Sequence, residues 1–188
     1  MSRYVLAAAV LPTPPVPPPP GIDPAAYDAA LREDAFDLLD DLAGVTVYRD
    51  AGETPFAALA TLAAHGATIG AVVAADAPDL PGLLVGKLFG ACEDRLAGVL
   101  PASDGRLVGL ASRLPPPDWL RAITLDCTLD DVHAAAPAGA VVVGPGWHRL
   151  ARPEDVARLD PRLDGWHATR ALLAGYSTGG PSEGSARR

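Results

Sequence analysis

Several things are scarce in this 188-residue chain, and each scarcity excludes something. Aromatic residues make up 5% of it, so Leu, Val and Ala must do most of the packing. Lysine occurs once, at Lys87, among 15 basic residues, a bias that reads as codon usage rather than an Arg-specific function. The two cysteines, Cys92 and Cys127, sit in no CxxC or Cys/His cluster, which gives no zinc site. They read as buried thiols in a reducing compartment, with a disulfide between them left open. No apolar run reaches the roughly 20 residues that a membrane span needs. Positive charge is short as well: the net charge of −8 has the wrong sign for a generic nucleic-acid binder. The opening MSRYVLAAAVLP sets Arg3 before an apolar run, as an export signal does. The run is short, however, and prolines stand where a small-residue cleavage site belongs, so we expect the first strand of a cytoplasmic protein.

What is present is enough for a folded domain. Hydrophobic residues make up 49% and charged residues 20%, and the length suffices for a core without disulfide or metal staples. Proline is abundant, at 20 residues, and seven of these fall between Pro12 and Pro20. A stretch with so few amide hydrogens is neither helix nor central strand, so Leu11–Gly21 is expected as a polyproline II or irregular loop.

Periodicity places the remaining elements. Tyr4–Val10 suits a buried strand. Asp23-Pro24 opens a helix that Gly44 ends, and its acids Glu33, Asp34, Asp37, Asp40 and Asp41 are expected on a solvated face. Val45–Tyr48 alternates as a strand does. Thr54-Pro55 opens a helix to about His65. Thr68–Ala74, apolar throughout, is the clearest strand, followed by a helix over Pro81–Glu93. Leu96–Leu100 and Arg106–Ala111 read as strands joined at Asp104-Gly105 as a hairpin. Short helices are expected near Trp119, over Leu129–Ala136, at Pro153–Leu159 and over Trp166–Leu173, with a strand at Ala140–Val143. Alternating strands and helices predict an α/β fold, a three-layer α/β/α sandwich with a mainly parallel, mixed sheet. One domain is expected over residues 1–174, with residues 175–188 a flexible tail.

Chemistry in such a sheet sits at the carboxyl ends of the strands. Asp76 leaves the clearest strand there, and Asp79 follows three positions on. A divalent cation takes one or two carboxylates together with phosphate oxygens and water, so Asp76 is a candidate metal ligand or a strand-end turn acid. Asp79 is a metal ligand or a helix cap. Of the four histidines, His65, His133, His148 and His167, only His148 stands at a strand end, and none has a partner at readable spacing. Trp147 reads as core packing or as a platform for a sugar or base. Ser103 lacks the G-x-S-x-G elbow of a hydrolase nucleophile.

The block from Val72 to Leu110 resembles the central block of the nucleotide-diphospho-sugar transferase superfamily, which has a GT-A-like fold. It is most similar to the small bacterial glycosyltransferase-like branch related to arsenosugar-type biosynthetic enzymes. That branch ends a strand in D-x-P-x-L, matched by Asp76-Ala77-Pro78-Asp79-Leu80, and continues to a P-x-x-D-G-G-Y-x-L-x-G segment, matched by Pro101 to Gly109. The resemblance implies transfer of a sugar from a nucleotide-diphosphate sugar to a small acceptor. It implies Mg²⁺ or Mn²⁺ at Asp76 and substrate contacts from Asp104 and Gly105; beside these, Asp79 stands as a second candidate metal ligand, and Arg106 and Trp147 as further candidate substrate contacts.

The chain departs from the family in three places. Leu11–Gly21 replaces the family's basic glycine-bearing phosphate loop, with no basic residue between Arg3 and Arg32, so it offers neither the amides nor the charge of a phosphate cradle. Arg106 replaces a glycine. Arg149-Leu150-Ala151-Arg152-Pro153-Glu154-Asp155 lacks the acids that precede Pro-Glu-Asp in the family. Arg149, Arg152 and Arg106 either bind an anionic ligand or stand as solvated surface arginines. The departures raise a second reading, a catalytically inactive relative acting as a binding or scaffold protein with a protein partner or as a homodimer. A third, a nucleotidyltransferase, shares the fold.

Overall fold

A computed structural model describes residues 4–177. Its sheet has six strands: β1 (Leu6–Leu11), β2 (Val45–Tyr48), β3 (Ile69–Ala74), β4 (Ala97–Pro101), β5 (Leu107–Arg113) and β6 (Val141–Val143). Their spatial order is β2-β1-β3-β5-β4-β6. β1 pairs in parallel with β2 and β3, and β4 with β6, while β5 runs antiparallel to β3 and β4. The expected mixed, mainly parallel sheet is present, and β4 and β5 form the expected hairpin. Its turn is chemically specified. Gly105 sits at φ +92, where a side chain would be strained, and Asp104 Oδ1 accepts the Arg106 amide at 3.1 Å.

Helices α1 (Pro24–Asp40), α2 (Pro55–Ala64), α3 (Gly82–Asp94), α4 (Leu129–Ala135) and α5 (His167–Ser177) complete the fold, with 3-10 turns at Asp118–Ala122 and Pro153–Arg158. Both expected proline starts are observed: Asp23 and Thr54 accept the amides of Ala26 and Ala57, each ahead of a proline. One face of the sheet packs on α1 and α3 through Val10, Leu39, Val73 and Leu88. The other packs on α2, α4 and the Asp118 turn through Leu11, Leu59, Leu62 and Val132. Coverage of both faces explains why β3 is buried at all six positions. Helix α3 lies so close to β4 that a Cβ on Gly98 would come within 2.8 Å of Ala91 Cβ and 3.2 Å of the Leu88 carbonyl. Gly98→Ala should therefore destabilise the protein by roughly 1–2 kcal/mol through overpacking, read as a lower urea midpoint at unchanged slope.

A third cluster lies off the sheet. Val16, from the proline-rich segment, packs with Tyr27, Leu31, Leu150, Leu159 and Trp166. The proline loop is therefore anchored against α1 and the C-terminal elements by an apolar side chain. Two sequence expectations change here. Asp34 is not on the solvated face of α1: it is 1% exposed, and its carboxylate oxygens accept the amides of Ala168 and Thr169, each at 2.8 Å, at the start of α5. Helix α5 also continues to Ser177, so Gly175–Ser177 are helical, and the rest of the expected tail lies outside the described residues. Among the described residues no helix is long and apolar enough to cross a membrane.

Candidate functional site

The carboxyl ends of β1 and β3 and the segment after β6 meet at Asp76. Its position follows from β3, which ends two residues earlier at Ala74. Asp76 is 1% exposed, and both its oxygens are engaged. Arg149 Nε donates to Oδ1 at 2.7 Å and Nη2 donates to Oδ2 at 2.9 Å, in a two-pronged pairing that suits the planar guanidinium. The Arg149 side chain is fully buried. Its Nη1 also donates to the Leu107 and Leu125 carbonyls at 3.1 and 2.9 Å and lies 3.4 Å from Asp126 Oδ1. The main chain joins the same contact, since the Leu150 amide donates to the Asp76 carbonyl at 2.8 Å. Burial pushes the Asp76 carboxyl up, and the bonds and charge of Arg149 act against that.

Arg106, at the position where the sequence resemblance led us to expect a glycine, turns back onto its own hairpin. Its Nε and Nη2 donate to Asp104 Oδ2 at 2.8 and 2.6 Å. Its Nη1 lies 3.8 Å from Asp76 and 3.7 Å from Asp126. Burial alone would raise the Asp104 carboxyl, but the bonds and charge of Arg106 hold it below its usual value. Three carboxylates, Asp76, Asp104 and Asp126, thus share two guanidinium groups.

Asp79 is 2% exposed and holds the chain together on the neighbouring side. Its Oδ1 accepts the Trp147 indole N–H and its Oδ2 accepts the Asp160 amide, both at 3.2 Å. His148 Nε2 is 3.0 Å from Oδ1 but off the line that a hydrogen bond needs. Asp79 does not cap α3, whose cap residue Pro81 makes no side-chain bond. Trp147 is partly buried against the α1/α3 core and stacks on His148 with ring centroids 5.0 Å apart. One edge of the pair borders an open hollow with Ser103 and Arg158.

The structure thus gathers Asp76, Asp104 and Arg106 in one crevice, with Gly105 at the exposed hairpin tip. Asp79 and Trp147 lie in an adjoining contact. Arg152 is exposed, 3.7 Å from Glu154. Asp126 belongs to the site although nothing near Thr124–Thr128 read as chemistry. It enters only because the chain after β5 folds back over Arg149, and a lone aspartate in a loop carries no sequence signal for that.

The crevice also has a roof. Pro12, Thr13 and Pro14 border a cavity of about 190 Å³ with Glu53, Asp126 and Arg149. Between Pro12 and Pro20 only Thr13 and Val16 carry an amide hydrogen. The proline side thus offers few amide donors for a diphosphate, and Glu53 and Asp126 add negative charge, while Thr54 at the start of α2, Thr124 and Arg149 line the rest of the cavity. A divalent cation fits poorly too. It would have to displace Arg149 from both oxygens of Asp76, and among the described residues no three His, Cys, Asp or Glu side chains converge to hold one.

No protein-family model and no curated protein matches the chain. Solved structures do. The chain is similar to a candidate nucleotide-diphospho-sugar transferase from Desulfovibrio desulfuricans G20, with a TM-score of 0.63 and 15% identity over 91% of this chain and 95% of that one. It is less similar to Rv0371c from Mycobacterium tuberculosis H37Rv in complex with manganese, with a TM-score of 0.45 and 15% identity over 82% of this chain and 97% of that one. For CMP:2-keto-3-deoxy-manno-octonic acid synthetase complexed with CTP the TM-score is 0.48 and the identity 12%, over 91% of this chain and 99% of that one. At 15% identity the likeness to the first of these establishes the fold alone: the chain has a GT-A-like α/β architecture.

Proposed function

We propose that this chain is a catalytically inactive, metal-free relative on the GT-A-like fold, acting as a binding or scaffold protein. One observation carries the reading: the Asp76 carboxylate, where the resemblance puts Mg²⁺ or Mn²⁺, is bound through both oxygens by the buried guanidinium of Arg149. That pair supplies Asp76 with its counter-charge from within the chain. It also ties the end of β3 to the segment after β6, which makes it a structural clasp. The surplus of carboxylates and the amide-poor proline roof further disfavour a nucleotide diphosphate.

The competing reading is transfer of a sugar from a nucleotide-diphosphate sugar to a small acceptor, with metal at Asp76 and Asp79 and substrate contacts from Asp104, Gly105, Arg106 and Trp147. It rests on the fold and on the edge of Arg149 that borders the 190 Å³ cavity. Nucleotidyl transfer shares that support and needs an even larger phosphate site. Both require Arg149 to leave Asp76.

Calorimetric titration with UDP-, GDP- and dTDP-sugars, with and without Mn²⁺, separates these readings. We expect no binding at millimolar ligand, and no rise in Tm with Mn²⁺. Mn²⁺-dependent binding that Asp76→Asn abolishes would establish a retained nucleotide-sugar site and sink the inactive reading.

A further inference from the structure

We infer that the groove between the end of α1 and the start of α3 is a docking surface for a cationic, amphipathic segment of a protein partner. This surface is separate from the Asp76 crevice and does not depend on whether that crevice is active. The groove encloses about 520 Å³. Leu38, Leu42, Pro78 and Leu80 line it, and Leu83, also in its lining, is 72% exposed. The two helices meet at its base because Gly82 has no side chain. A Cβ there would stand 3.2 Å from Leu42 Cδ2 and 3.5 Å from Leu38 Cδ1.

The rim carries charge of one sign. Asp37, Asp40 and Asp41 come from the end of α1, and Asp164 comes from the loop before α5. No lysine or arginine lines the groove, and His167 is the one basic side chain in its lining. Asp40 has a partner in Arg49 at 2.7 Å, but among the described residues Asp37, Asp41 and Asp164 make no ion pair. Local energetics do not favour this placement. A helix C-terminus is the negative end of its dipole, and α1 has no basic residue in its last turn. Asp37 also stands three and four positions from Asp40 and Asp41, where like charges repel. The field of this helix end adds to that of the rim, while the starts of α3 and α5 in the same lining oppose it with partial charges; the rim carboxylates carry the full charges, so an occupant with positive charge is the complementary one.

The apolar part of the groove sets the second requirement. Carboxylates alone would hold a solvated cation, but Leu83 stays in water unless the occupant also brings apolar side chains over the start of α3. A small amine lodged between the helices would leave Leu83 uncovered, whereas a segment with both leucine-like and basic side chains would cover it. A second copy of this chain is disfavoured by its net charge of −8.

The test is fluorescence anisotropy with three labelled peptides: an amphipathic Leu/Lys helix, its Leu/Glu counterpart, and an oligolysine matched in charge but lacking leucine. We expect saturable, salt-sensitive binding of the Leu/Lys peptide alone. Leu83→Ser and the Asp37→Asn/Asp41→Asn pair should each weaken it roughly tenfold or more, as loss of a contact or charge at an interface centre does. All three positions are exposed, so the fold is retained and the far-UV spectrum should be unchanged. Asp94→Asn/Asp130→Asn removes the same charge elsewhere and should leave the affinity as it was. Comparable binding of the Leu/Glu peptide or of oligolysine would overturn the proposal. So would an equal loss in the Asp94/Asp130 control, or no effect of Leu83→Ser. Self-association in sedimentation that Leu83→Ser abolishes would give the groove to a second copy and also overturn it.

Discussion

Replacing Arg149 by methionine should cost roughly 3–5 kcal/mol of folding stability, the penalty for leaving one member of a buried ion pair alone. The Asp76 carboxylate would lose its two-pronged partner at 2.7 and 2.9 Å in a place 1% exposed to water. The Leu107 and Leu125 carbonyls would lose their shared Nη1 donor as well. Asp76→Leu alone should be similarly damaging, because it strands a buried guanidinium. The double variant Arg149→Met/Asp76→Leu should recover much of the loss, since apolar groups of similar volume often replace a buried pair at little cost. Urea unfolding of all four proteins gives the coupling energy directly. If the two single losses simply add in the double variant, Arg149 and Asp76 do not act as a clasp. The structural argument for an occupied Asp76 then fails with it.

The second large effect lies at Asp34. Asp34→Ala removes the acceptor for the Ala168 and Thr169 amides, which cap α5 from across the fold, and should cost roughly 3 kcal/mol. In a domain of this size that lowers Tm by roughly 6–12 °C. Burial pushes the Asp34 carboxyl above its ordinary value, while hydrogen bonding from Thr169 and Ala168 pulls it back. The folded state therefore binds this proton more tightly than the unfolded chain. The stabilisation linked to that proton is fully present below the unfolded carboxylate pKa of about 4 and is lost as pH rises through the folded value. The gap in stability between the native protein and Asp34→Ala should accordingly narrow over the interval in which pH rises above about 4. A gap that widens over that interval would show that the ionised carboxylate is the form the fold prefers.

Much of the architecture was legible before any coordinate. Asp23-Pro24 and Thr54-Pro55 announced two helix starts because a capping oxygen followed by proline suits few other conformations. The apolar run ending at Ala74 announced a strand covered on both faces, and Asp104-Gly105 announced the hairpin. The limits of sequence reading are equally specific. Asp34 sits at a spacing that places it with the acids of a solvated face, yet it is buried, because its partners are amides more than 130 residues away. Asp126 gave no sign of belonging to the crevice. Asp79 was legible as a cap or a metal ligand, whereas in the fold it accepts the Trp147 indole N–H and the Asp160 amide.

The sequence by itself determined the elements, the layer order they imply and the biases of composition: almost no lysine, an acidic balance, and seven prolines between Pro12 and Pro20. These follow from local rules of periodicity, capping and amide supply, which act over a few residues. Only the tertiary structure decided what Arg149 does. The sequence left Arg149 either binding an anionic ligand or standing as a solvated surface arginine, and the fold makes it neither: an ionic contact between residues 73 positions apart depends on how β3 and the segment after β6 are brought together. Once they meet in a dry interior, a carboxylate without a partner is too costly to persist, and the guanidinium beside it supplies the charge that an ion would otherwise bring.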